Sequence, residues 1–346
     1  MVRSPVRAVS IDVTGIRRLA ILAPNWLGDA VMAIPAIADV RRALPETTIT
    51  IAARAAVAPL FTMVDGVDDV VTIASGSGDA ARVLRAGNFD TALLLPNSLH
   101  AAIVARRAGI AERWGYGADL RSPLLTRRAP RPRGVHQVAY YQQLVRLLGF
   151  ENGAGEPAIT VPVSARAAAR TLLASRGRTA AAPLFAIAPG AAFGSAKRWA
   201  PDSFSALVTA LSEDGVQAVV VGAAADRATA DAVLGGVMIP AGTPASPIDL
   251  VGKTDLPTLA AVLTECRTLV TNDSGAMHVA AAAGIPVTAV FGPTNERETR
   301  PVGERHAILV SDAWCRPCML RECPLDHQCM SKISASIVVA SARRTL

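Results

Sequence analysis

Short apolar, β-branched runs alternate with stretches of helical period along most of this chain. In the amino-terminal half the pattern predicts strands over 18–23, 48–53, 67–73 and 91–95. Helices are predicted between them over 29–44, 56–64 and 79–87, with stop signals at Pro45-Glu46 and Asp65-Gly66. From 125 to 162 the pattern weakens: an Arg- and Pro-rich stretch is followed by a helical segment over 140–148 and a Gly-rich polar stretch, and 152–163 reads as a linker. Alternation then resumes, with predicted helices over 165–176, 202–214 and 256–266 and strands over 184–188 and 218–222. A strand over 268–271, a tight loop Asn272-Asp273-Ser274-Gly275, an Ala-rich helix to Gly284 and an apolar run ending at Gly292-Pro293 follow. Such alternation implies right-handed β-α-β units and parallel, doubly wound sheets, so the fold class is α/β with two similar halves.

In such folds ligands bind at the loops that leave the carboxyl ends of the strands. The first strand runs into Pro24-Asn25-Trp26-Leu27-Gly28-Asp29, and the fourth into Pro96-Asn97-Ser98 at the same rim. Asp29 is placed to take a proton from a nucleophilic hydroxyl, or equally to cap the helix that starts there. In the second half, Gly190-Ala191-Ala192-Phe193-Gly194-Ser195-Ala196-Lys197 offers glycines for close backbone approach and a lysine as a point charge for phosphate. This loop lacks the Gly-Lys-Ser/Thr ending of a Walker A sequence, and no Gly-x-Gly-x-x-Gly follows the first strand, which argues against an NAD dehydrogenase. At 272–275 the N–H groups of Ser274 and Gly275 open a helix and suit a phosphate. Asp273 would repel one, so sugar hydroxyls of the same ligand are its better partner, and His278 lies about one turn further on. An ordinary helix cap with a packed histidine is the plainer reading of the same residues.

Composition narrows the function classes. Of the 346 residues 51% are hydrophobic and 4% aromatic, with alanine carrying the excess, and no apolar run of membrane-spanning length occurs. Asp12 and Thr14 interrupt the place where a signal-peptide core would lie, so the amino terminus reads as a frayed extension on a cytosolic protein. Net charge is +7, and eight arginines between 106 and 133 face only Glu112 and Asp119, which suits phosphorylated lipid, nucleic acid or acidic sugar, or is an ordinary solvated basic surface. Only Trp114 and Tyr116 interleave that stretch, too few for a single-strand nucleic-acid platform. Cys315, Cys318, Cys323 and Cys329 form C-x2-C-x4-C-x5-C with His327 in the last gap; structural zinc and reduced, unliganded thiols are the two readings. Cys266, ending a helix, reads as packed, and 333–344 as a terminal helix.

Taken in order, segments 24–29, 95–98, 189–199 and 271–278 resemble the motif series of glycosyltransferase family nine, the ADP-heptose:lipopolysaccharide heptosyltransferases. The similarity is greatest to the heptosyltransferase II branch and spans residues 18–340. It implies a GT-B fold, two Rossmann-like domains facing across a cleft: 1–160 for the acceptor and 161–330 for the nucleotide sugar, with a helix at 331–346 packing back on the first. It also implies inverting transfer of heptose from ADP-heptose to the lipopolysaccharide inner core, on a heptosyl-Kdo-lipid A acceptor, with no cofactor required for the chemistry. By position, Asp29 matches the catalytic base, Lys197 the lysine on the donor diphosphate, Asp226 the acid on the ribose and Asp273 the carboxylate on the donor sugar. Ser274, Gly275 and His278 match the phosphate-side loop and helix, and Asn97 and Ser98 fall on the acceptor side. Peripheral contact with the inner-membrane face from the cytoplasm is implied, and nucleic acid is not. The alternatives are a heptosyltransferase I type acting on Kdo-lipid A, a non-catalytic sugar-nucleotide-binding protein, and a nucleotide-sugar epimerase, which needs no acceptor.

Overall fold

The computed structural model describes residues 15–118, 120–239 and 246–346; nearly all of the amino-terminal extension, and Asp119, lie outside them. Two compact units divide the chain, Met1–Pro157 and Ala158–Leu346.

The first unit is built from β1 (Arg18–Leu22), α1 (Leu27–Met32), α2 (Ile34–Ala43), β2 (Thr48–Ala53), α3 (Ala58–Phe61) and β3 (Asp69–Thr72). It continues with α4 (Ser77–Ala86), β4 (Thr91–Leu94), α5 (Leu99–Arg107), β5 (Glu112–Tyr116), β6 (Arg127–Ala129) and α6 (Gln137–Leu147). Its six strands are parallel in the order β3-β2-β1-β4-β5-β6. The central strand β1 is apolar on both faces because helices cover both, and Leu19 to Leu22 are all buried.

The helix expected over 29–44 is two helices. Pro35 has no N–H to give and its ring would strike the preceding turn, so the chain breaks at Ala33 and leaves a short α1 that carries Asp29. The helix expected over 56–64 shrinks to the four residues of α3, with Pro59 in its first turn. Strands β5 and β6 lie inside the Arg-rich stretch, where alternation was obscured by charged residues on the outer face. Arg127, for example, stacks 4.9 Å from the Trp114 ring and pairs with Glu112 at 3.4 Å.

The second unit runs through α7 (Val163–Ser175), β7 (Leu184–Ala188), α8 (Pro201–Glu213), β8 (Gln217–Val220), α9 (Arg227–Gly235), β9 (Ile248–Asp249) and α10 (Leu256–Thr264). Then come β10 (Leu269–Asn272), α11 (Gly275–Ala282), β11 (Val287–Phe291), α12 (Glu296–Thr299), β12 (Ala307–Val310), α13 (Gln328–Ser331) and α14 (Ala335–Arg343). Its sheet, β12-β11-β10-β7-β8-β9, repeats the order of the first when counted from β7. Both orders are those of a dinucleotide-type doubly wound sheet, which reverses winding between its two central strands.

The terminal helix α14 contributes to the core of the second unit. Val338, Val339 and Ala342 of α14 join the core of the second unit with Phe204, Leu207 and Leu211 of α8. Thr288 of β11 and Ser341 of α14 share a hydrogen bond at 3.1 Å. The apolar face of α14 is therefore spent on its own unit. Among the described residues no helix is long and apolar enough to cross a membrane.

Candidate functional site

In each unit most of the candidate residues gather at the carboxyl ends of the two strands that flank the winding reversal, with Asp226 one strand further out, after β8. In the first unit the flanking strands are β1 and β4. Asp29 lies in the first turn of α1, half-buried, and Asn97 and Ser98 follow β4. Ser98 caps α5, its hydroxyl accepting from the Ala101 N–H at 3.3 Å. Asn97 donates through Nδ2 to the Tyr140 hydroxyl at 2.6 Å. Arg121, buried completely, donates to the Tyr116 carbonyl at 2.9 Å and to the Pro96 carbonyl, which braces the same loop.

Helix α6 ties these loops together. Tyr140 stacks on Tyr116 with ring centroids 4.6 Å apart, and its carbonyl accepts from the Tyr116 hydroxyl at 2.6 Å. Its neighbour Tyr141 has its phenol pushed well above the ordinary range, first by burial and then by the negative charge of Asp29. That places the Asp29 carboxylate within electrostatic reach of a neutral phenol. Sequence reading saw α6 only as a helical segment, since nothing local ties Tyr140 and Tyr141 to strand ends far away in the chain.

In the second unit the flanking strands are β7 and β10, and one buried amide stitches them. Asn272 donates through Nδ2 to the Pro189 carbonyl at 2.7 Å, while its Oδ1 accepts from the Trp199 N–H at 2.9 Å. Both ends of the 189–199 loop are thereby fixed to β10. Trp199 is buried, packs edge-on to Phe204 at 5.0 Å, and donates through its indole to the Ile333 carbonyl at 2.8 Å. The anchored loop turns Lys197 inward, where Nζ meets Asp273 Oδ2 at 2.5 Å with side chains only 13% and 6% exposed. The Thr294 hydroxyl donates to the same Oδ2 at 2.6 Å. Asp273 is thus neutralised by a lysine, so the repulsion of phosphate argued from its charge is offset by the residue expected to attract it.

Ser274 sits at the cap position of α11, but its hydroxyl lies 3.0 Å from the Thr271 hydroxyl and no side chain caps the helix. The opening N–H groups of α11, from Gly275 on, have no intrahelical acceptors. His278 is buried on α11, one turn in. Asp226 ends a 3-10 turn after β8, accepting from the Ala223 N–H at 2.9 Å. A Cβ on Gly190 would lie 2.1 Å from the Asp226 carboxylate, so only glycine permits the β7 loop to pass so close. Lys197, Asp226, Asp273, Ser274, Gly275 and His278 therefore occupy one rim of one sheet. Asn272 and Thr294, which hold it, were not singled out from the sequence.

The remaining candidates behave differently. Cys315, Cys318, Cys323 and Cys329 are all free thiols, ranging from exposed Cys318 to buried Cys329. Burial, and then the other three cysteines, push the Cys329 thiol up, so Cys315, Cys318 and Cys323 each lie within electrostatic reach of Cys329. Among the described residues no three His, Cys, Asp or Glu side chains converge to hold a metal ion, so of the two readings the zinc one finds no assembled ligand set there. The basic stretch is not one surface either. Arg121 is buried, Arg113 is spent on the Ile110 and Leu124 carbonyls at 2.5 and 2.7 Å, and Arg106, Arg107, Arg128, Arg131 and Arg133 are exposed.

Known proteins match this architecture. Residues 78–328 fit the family description "Glycosyltransferase family 9 (heptosyltransferase)". Lipopolysaccharide heptosyltransferase 2 of Salmonella typhimurium is 28% identical over 306 residues, which is 84% of this chain and 87% of that protein. The solved structure of E. coli ADP-heptose lps heptosyltransferase II superposes with a TM-score of 0.81 at 24% identity, covering 95% of this chain and 98% of that one. A family 9 glycosyltransferase from Veillonella parvula gives a TM-score of 0.86 at 22% identity, over 98% and 99% of the two chains. At those identities the structural likeness is one of fold, and the fold is the GT-B fold. With its family match covering well over half of its length, this chain belongs to glycosyltransferase family 9, the heptosyltransferases.

Proposed function

We propose that this protein moves heptose from ADP-heptose to the inner core of lipopolysaccharide with inversion at the anomeric carbon; its relatives are named as lipopolysaccharide heptosyltransferases. The acceptor is a heptosyl-Kdo-lipid A. The observation that carries the reading is the paired Lys197 and Asp273, drawn together beside the uncapped amino end of α11 at the winding reversal of the second sheet. That rim combines a cation and helix N–H groups for a diphosphate with a carboxylate for sugar hydroxyls.

In the reaction, the acceptor hydroxyl oxygen attacks the anomeric carbon while the bond from that carbon to the diphosphate oxygen breaks, and its electron pair leaves with ADP. Asp29 takes the hydroxyl proton. Its neighbour Tyr141, kept neutral, does not compete for the role of base. Charge growing on the leaving diphosphate is met by Lys197 and the α11 N–H groups of Ser274 and Gly275, with His278 behind them. Asp273 orients the sugar, Asp226 the ribose, and Asn97 and Ser98 flank the acceptor. The chemistry needs no cofactor. The protein works in the cytoplasm, meeting its lipid-linked acceptor at the inner-membrane face through exposed arginines of the 106–133 stretch.

The test is ADP release from ADP-heptose, with heptosyl-Kdo-lipid A and Kdo-lipid A as separate acceptors. Release with the first alone is expected. Release with Kdo-lipid A alone assigns the heptosyltransferase I type, and binding without release under either condition refutes catalysis.

A further inference from the structure

The cysteine-bearing segment after β12 is left unused by the mechanism, yet it touches both loops that make the donor rim. On one side it holds Ala196, the residue before Lys197, by both of its backbone groups. The Ala196 N–H donates to the Arg321 carbonyl at 3.0 Å, and the Ala196 carbonyl meets His327 Nε2 at 2.6 Å, which requires the tautomer with the proton on Nε2. A Cβ on Gly194 would lie 2.2 Å from the Arg321 carbonyl oxygen, so the two loops are in full backbone contact. Lys197 Nζ and the Arg321 guanidinium also lie 4.7 and 5.5 Å from the Phe193 ring centroid.

On the other side the same segment holds 292–296, the loop that supplies Thr294 to Asp273. Arg316 donates from Nε to the Gly292 carbonyl at 2.8 Å, and from Nη2 to both the Thr294 carbonyl at 3.3 Å and the Glu296 carboxylate at 2.7 Å. The Met319 N–H donates to the Pro293 carbonyl at 2.9 Å. Met319 and His327, one contact residue for each loop, both have left-handed backbones, with φ of 59° and 58°. Non-glycine residues stay in that region only where their surroundings over-determine it.

We propose that the segment 316–327 is a clamp that sets Lys197 and Asp273 at the spacing a nucleotide diphosphate sugar requires, with His327 and Arg316 as positioning residues. The inference rests on the donor reading of Lys197 given above. Replacing His327 leaves the Ala196 carbonyl without its donor and lets the Lys197 loop drift, whereas glutamine, with a side-chain N–H of similar reach, preserves the contact.

The experiment is calorimetric titration of the full chain with ADP. His327→Ala is expected to weaken ADP binding about tenfold, the worth of one well-placed hydrogen bond, and His327→Gln to restore it to within about twofold. In a Lys197→Ala background the further change His327→Ala should cost less than about twofold, because the clamp acts through the lysine. A merely structural role would weaken both backgrounds alike. Thermal unfolding of each variant identifies any that do not fold; if His327→Ala is one, Arg316→Gln takes its place with the same expected loss and the same double-variant comparison. Unchanged ADP affinity in a folded His327→Ala or Arg316→Gln protein overturns the clamp while leaving the donor reading intact. ADP binding that is absent in the unaltered protein, or unchanged by Lys197→Ala alone, overturns the donor reading and the clamp with it.

Discussion

Asn272→Ala is the sharpest probe of how the donor rim is held. The side chain is fully buried and makes two well-formed hydrogen bonds, to the Pro189 carbonyl at 2.7 Å and from the Trp199 N–H at 2.9 Å, with a longer approach to the Gly190 carbonyl at 3.4 Å. Truncation removes the amide and strands a buried N–H and a buried carbonyl. At about 1–3 kcal/mol for each unsatisfied group, the expected loss is about 2–6 kcal/mol, toward the lower end if water enters the space. Even about 2 kcal/mol is a large share of the stability of a typical domain. Urea unfolding followed by tryptophan fluorescence should show a lower midpoint with an unchanged slope. Asn272→Asp keeps the acceptor for Trp199 but turns a carboxylate oxygen toward the Pro189 carbonyl, and should be no better tolerated. A loss below about 0.5 kcal/mol for Asn272→Ala, or a harmless aspartate, would refute the view that one amide fixes both ends of the 189–199 loop.

Further outcomes follow from individual side chains. Asp29→Asn should lower kcat by about 10² to 10⁴ with ADP affinity unchanged, as expected for a general base; near-normal turnover would remove that role. Cys266 is buried, which pushes its thiol up to about 12, so a thiol reagent at mild pH should label exposed Cys318 in the folded protein and spare Cys266. Equal labelling rates, read by peptide mass mapping, would contradict that burial. Glu265 is subject to burial, which raises its pKa, but hydrogen bonds from Arg170 and Arg178 at 2.8 and 2.9 Å more than offset this and hold it below the ordinary value. Its contribution is therefore present above the unfolded-state value and lost as pH falls through the lower folded-state value. The stability gap between the unaltered protein and Glu265→Gln should shrink on acidification below about pH 4, and a gap constant down to pH 3 would rule out the linkage.

The candidate residues were legible because of where they stand in the chain. Asp29 and Asn97 in the first unit, and Lys197 and Asp273 in the second, each follow an apolar run, and within each unit the parallel sheet carries such loops to one rim. What was misread has local causes of two kinds. Pro35 was visible, yet the apolar period runs through it, so 29–44 looked like one helix. In β5 and β6 the charged residues that cover the outer face hid the strand pattern, and Arg121, one of eight arginines read as surface charge, is a buried brace.

Periodicity along the chain therefore determined the α/β class, two doubly wound halves and the loops where chemistry would lie, because a buried face writes its period into neighbouring residues. Strand order, the home of the terminal helix and the partners of each loop were decided only in three dimensions. Lys197 and Asp273 are 76 positions apart, Asn272 reaches back 83 to Pro189, and His327 reaches back 131 to Ala196. The period of a segment states that one of its faces will be buried, but the atoms that bury it belong to distant parts of the chain, and only close packing selects among them.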